Sequence, residues 1–89
     1  MSDRIALMEA RLRRALAPER IEIRDDSAAH AGHPGARAGG GHYALTIVAR
    51  AFAGQPPLAR HRLVYQALGD LMGREIHALT IEALTPEEP

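Results

Sequence analysis

Apolar residues recur at Ile5, Met8, Leu12 and Leu16, a spacing that lines one face of a helix, and Pro18 stops the pattern. Ser2 and Asp3 are residue types that cap helix starts, so the spacing predicts a helix from Asp3 to Leu16. Ile21-Glu22-Ile23-Arg24 then alternates with a period of two, as an edge strand does, and Asp25-Asp26-Ser27 ends it. Residues 25–41 carry Gly, Ala and His with neither period, a length usually functional or disordered inside a compact domain. Tyr43, Leu45, Ile47 and Ala49 alternate with His42, Ala44, Thr46 and Val48, which predicts a strand covered on one face and paired with the first. Pro56 and Pro57 open a second helical pattern (Leu58, His61, Val64, Tyr65, Leu68, Leu71 and Met72) that lasts until Gly73, with Gly69 a candidate break.

The last periodic segment, Ile76 to Leu84, reads as a strand with His77, Leu79, Ile81 and Ala83 on one face and Ile76, Ala78, Thr80, Glu82 and Leu84 on the other. Both faces are expected to be partly covered. Residues 85–89 form a short acidic tail expected to fray. The resulting order, helix-strand-strand-helix-strand, implies a hairpin followed by a helical crossover into a third, parallel strand. The expected fold class is therefore α+β: a two-layer αββαβ sandwich with a three-stranded mixed sheet, one domain over residues 1–84.

Composition narrows the chemistry. Hydrophobic residues make up 46% of the 89 but aromatic ones only 3%, so the core is aliphatic and a base-stacking platform is not expected. Eleven arginines balance eleven acidic residues and there is no lysine, whereas a dedicated nucleic-acid binder carries a basic excess. The absence of cysteine removes disulfides, thiolate zinc sites and thiol nucleophiles, which leaves His or carboxylate for any metal. No apolar run of about 18 residues is present to span a bilayer. Arg4, Arg11, Arg13 and Arg14 give the N-terminal segment the charge of a transit peptide, but Asp3 and Glu9 interrupt it, and the expected address is cytoplasmic.

An enzyme is not expected. Ser27 lies near Asp25, Asp26 and His30, the residue types of a hydrolase triad, but all fall in one glycine-rich loop with no evident oxyanion hole. Gly32-His33-Pro34-Gly35 matches the GxxG of KH modules in letters, and Gly39-Gly40-Gly41 suggests a phosphate cradle. Both join strands rather than opening helices. Among the five histidines, His30-x-x-His33 reads either as solvated loop residues or as a metal pair, and His42 belongs to the strand. Arg60-His61-Arg62 reads as a solvated basic patch, a helix cap or a phosphate contact, while spacing alone makes His77 a core histidine.

Three motifs in order, Phe52-x-Gly54, Arg60-His61-Arg62-Leu63-Val64-Tyr65 and Ile76-His77-Ala78-Leu79, resemble the signature of the BolA family. The resemblance runs from the first helix through the last strand, including Asp26-Ser27-x-x-His30 and His42-Tyr43, and leaves out the acidic tail. It implies a class II KH-like αββαβ fold that lacks the GxxG between helices. It also implies a non-enzymatic partner of CGFS-type monothiol glutaredoxins, sharing a bridging 2Fe-2S cluster in iron-sulfur trafficking or iron regulation. In such a cluster the glutaredoxin and glutathione supply thiolates and the BolA-like chain supplies His or Cys; this chain has only histidine to offer. By resemblance the ligands fall on His77 and on the loop residue His30, with His33 offering a second imidazole in the same loop. No cluster is expected in the isolated protein. The alternative is a transcriptional regulator that binds DNA through the helix carrying Arg60, His61 and Arg62, joined by Arg50.

Overall fold

A computed structural model describes residues 3–26 and 41–88. Helix α1 spans Asp3–Leu16, and the predicted stripe is its buried face: Met8 and Leu12 are fully buried, with Leu16 beside them. Ala17 takes a positive φ of 47° and donates its N–H to the Arg13 carbonyl at 3.1 Å, closing the helix before Pro18. Strand β1 (Arg20–Asp25) runs antiparallel to β2 (Gly41–Val48), and β2 runs parallel to β3 (Ile76–Leu84), giving the sheet order β1-β2-β3. This is the predicted mixed sheet.

The period-two pattern of β2 becomes a division of faces. Tyr43, Leu45, Ile47 and, just past the strand, Ala49 are buried, while His42, Ala44, Thr46 and Val48 on the other face are half-buried. Ile21 and Ile23 on β1 and Leu79, Ile81 and Ala83 on β3 pack at the margins of the same core, which α1 and α2 cover. Phe52 lies at 0% exposure in a short 3-10 turn (Arg50–Phe52) between β2 and α2, and Gly54 follows with a φ of 75° that favours glycine.

Helix α2 spans Pro57–Leu68, with a proline at its first position, where an N–H would have no helical acceptor. The helical spacing runs on to Gly73, and the helix breaks at the candidate position, Gly69, whose φ of 56° and ψ of −127° belong to a region only glycine enters readily. A 3-10 turn, Gly69–Leu71, delivers the buried Leu71. Arg11 of α1 donates to the Leu68 carbonyl at 2.9 Å and to Asp70 at 2.7 Å, placing a cation at the negative end of α2.

The segment after β3 departs from expectation. Thr85 is buried, its N–H donates to Glu88 Oε1 at 2.7 Å, and the Glu88 N–H donates to the Thr85 carbonyl at 3.1 Å. A tail expected to fray is instead a closed turn through Glu88. Composition suggested solvation because Glu87 and Glu88 are charged; Arg60 supplies the counter-charge that composition cannot place.

A candidate ligand site at the start of the third strand

Along β2 and β3 the register runs Tyr43↔Leu79, Ala44↔Thr80 and Leu45↔Ile81, but at the first turn of the ladder Gly41 faces Ile76 and His42 faces Ala78. His77 therefore has no counterpart in β2 and forms a β-bulge. An extra residue reverses the parity of everything before it. Ile76, which simple alternation put on the face of Thr80 and Glu82, is fully buried in the core, and His77, which alternation put beside Leu79 and Ile81, is exposed. The expectation of a core histidine is thus corrected: burying Ile76 is worth more than regular pairing, and the bulge turns the imidazole outward.

The bulge brings His77 against His42, the first residue of β2 to face away from the helices, with ring centroids 5.0 Å apart and planes tilted by 48°. His42 is half-buried and its Nε2 is shielded from solvent, whereas the His77 ring stands at the surface. Sequence reasoning assigned His42 to the strand and missed this pairing. The signal was present in the two strand patterns, but only the register places them side by side.

His30 and His33, the candidate loop ligands, lie outside the described residues, as do Ser27 and the GxxG letters of Gly32-His33-Pro34-Gly35. Gly41, the last of the three glycines read as a phosphate cradle, belongs to β2. Among the described residues no three His, Asp or Glu side chains converge to hold a metal ion. Here His77 offers one exposed imidazole, a donor set that fits a shared metal centre completed by other ligands.

The basic residues proposed for nucleic acid separate into two kinds. Arg60 is 13% exposed and is committed within the fold: it donates to the Gln55 carbonyl at 2.8 Å, to the Ala83 carbonyl at 2.9 Å, and to both Glu88 oxygens at 2.7 and 3.1 Å. Arg60 and Thr85 together pull the Glu88 carboxyl down to about 2. Arg62 is exposed and His61 half-buried on α2, and Arg50, 80% exposed, pairs with Glu19 at 3.0 Å. No helix among the described residues is long and apolar enough to cross a membrane.

Comparison with known proteins matches this arrangement. The family model for BolA-like protein covers residues 12–88, so Thr85–Glu88, which the motif reading left out, fall inside it. Human BolA-like protein 1 is 41% identical over 83 residues, covering 93% of this chain and 58% of that protein. The Vibrio cholerae DNA-binding transcriptional regulator BolA is 37% identical over 82 residues, covering 92% of this chain and 74% of that one. The chain thus spans under two thirds of the length of the human relative. The structure of the BolA domain of SufE1 from Arabidopsis thaliana superposes with a TM-score of 0.87 at 37% identity, covering 100% of this chain and 99% of that one. Since the match reaches from within α1 to the turn that Arg60 closes, and includes the bulged histidine and the buried Phe52, the chain belongs to the BolA-like protein family.

Proposed function

We propose that this chain is a non-enzymatic adaptor that docks with a CGFS-type monothiol glutaredoxin and supplies His77 to a 2Fe-2S cluster held jointly with glutathione. The observation that carries this reading is the exposure of His77 at a bulge, where strand parity alone would bury it. A chain without cysteine has imidazole and carboxylate as its metal-binding donors, and a single outward imidazole suits a centre whose thiolates come from the partner. His30 or His33 of the 25–41 segment is the second ligand in this reading. When bound, the cluster supplies one-electron chemistry or is itself the cargo. The chain's part is to present a neutral His77 ring, since a protonated imidazole cannot ligate, and acid therefore weakens the mixed complex. Mixing the purified protein with cluster-loaded glutaredoxin and glutathione should give a new visible circular dichroism spectrum, and His77→Ala should abolish it. An unchanged spectrum on mixing would sink the proposal.

A second reading, DNA binding, is favoured by the name of the Vibrio cholerae relative. On this chain the contacts would fall to Arg50 and Arg62 rather than Arg60, because both are exposed, Arg50 in a solvent-screened pair with Glu19 that phosphate can replace, while Arg60 holds the C-terminal turn. Salt-sensitive binding of a duplex that is lost in Arg50→Ala/Arg62→Ala would favour it; binding insensitive to both substitutions would remove it.

A further inference from the structure

We infer that Arg4, Tyr43 and Glu75 are positioning residues for His77, a brace that reaches from α1 to both strands at the bulge. The inference rests on the ligand role proposed for His77 only for its consequence, and on geometry for its substance.

Glu75, two residues before His77, is held three ways: its N–H donates to the Leu71 carbonyl at 2.9 Å, its carbonyl accepts from the Gly41 N–H at 3.1 Å, and its carboxylate accepts from Arg4 Nε at 2.9 Å. The Tyr43 hydroxyl favours the charged form of the same guanidinium, and Tyr43, 3% exposed, directly follows His42. The Tyr43 ring lies over Gly41, so closely that a Cβ there would sit 2.5 Å from the ring edge and from the hydroxyl oxygen. Gly41 is thus the space into which the brace is built.

These contacts converge on the break in register. The chain is fixed at Glu75 and Ile76 and again from Ala78 onward, so His77 is the one residue between two anchored points. On β2, Tyr43 is buried on the helix side and His42, its neighbour, faces the opposite side against the His77 ring. Glu75, gripped by Arg4 through its carboxylate and by Gly41 through its carbonyl, therefore links the two strand starts that carry the two imidazoles. Ile76 supplies the burial that makes the bulge; Arg4 and Glu75 limit how far the exposed residue beside it can swing. Side chains that orient a metal-binding histidine act at this remove, by fixing the ring and its backbone rather than touching the metal.

The test uses the free protein first. Imidazole proton contacts between His42 and His77, read by nuclear Overhauser effects, should be lost in Arg4→Met and in Glu75→Ala but kept in Glu75→Gln, whose amide oxygen still accepts from the guanidinium. A cooperative melt in each variant confirms that the fold is intact. Contacts that persist in Arg4→Met and Glu75→Ala, or that vanish equally in Glu75→Gln, overturn the inference. In the mixture with cluster-loaded glutaredoxin, the two disruptive variants should form the mixed complex about tenfold less tightly than Glu75→Gln. If wild-type protein gives no mixed spectrum, the ligand role of His77 falls, and the brace is judged on the imidazole contacts alone.

Discussion

The two ends of β3 present the same kind of sequence signal and opposite structural solutions. At its start, Ile76-His77 combines a fully buried residue with an exposed one through a bulge. At its end, Ala83, Thr85 and Glu88 are drawn together by Arg60, whose guanidinium is the least exposed cation among the ion pairs of the described residues. Both ends carry motif residues of the family. One end turns its polar side chain outward and the other spends it on closing the fold. Motif membership alone therefore does not mark a binding residue; what the side chain touches does.

The sharpest way to break this contrast is at adjacent positions. Ile76→Ala removes a fully buried side chain and should cost roughly 2–5 kcal/mol in a denaturant melt. His77→Ala should leave stability within about 0.5 kcal/mol, as expected of an exposed residue, while abolishing the mixed spectrum with the glutaredoxin. Comparable destabilisation by both substitutions would mean that His77 is part of the core after all.

A smaller effect is expected at Gly41. Gly41→Ala forces the new methyl against the Tyr43 ring and should cost roughly 1–3 kcal/mol, in the range of overpacked sites. In a double-mutant cycle, Tyr43→Leu should cost less in the Gly41→Ala background than in the wild type. Additive costs would show that the two positions do not share space.

At the other end, Arg60→Met should free the turn through Glu88, seen as faster amide exchange at Thr85, and should lower the melting midpoint more than Arg62→Met does. Equal midpoints for the two variants would place Arg60 among ordinary surface arginines.

Much of this fold was legible because burial and period coincide. The α1 stripe and the faces of β2 need only the rule that apolar side chains point one way. The β3 segment was recognisable as a strand, yet its first two residues were assigned to the wrong faces. A bulge is a property of pairing, and pairing depends on where Gly41 and Ile76 meet, which no periodicity within a single strand records. The His42 and His77 contact was hidden for the same reason. Arg60 was misjudged through its neighbours: the run Arg60-His61-Arg62 looks uniformly basic, but on a helix successive residues point about 100° apart, so one arginine turns toward Glu88 while the other faces water.

The gentlest probe of the clamped end is acid. In an open chain Glu88 titrates near 4.5, whereas hydrogen bonds from Arg60 and the Thr85 N–H hold it at about 2 in the fold. A carboxyl whose value is lowered by folding contributes its stability fully above the open-chain value and loses it as pH falls toward the folded one. The Thr85 amide resonance should therefore stay constant from neutral pH down to about 5, since nothing in the clamp titrates there. It should move only as the pH drops from 4.5 toward about 2, when protonation removes the charge that Arg60 grips. Because Glu88 is 41% exposed at its side chain, solvent screens the pair and the change should be local rather than global unfolding. Glu88→Gln should abolish the movement. A Thr85 shift centred near 4.5 in the wild type would mean that the turn is already open and that Arg60 holds only the Gln55 and Ala83 carbonyls.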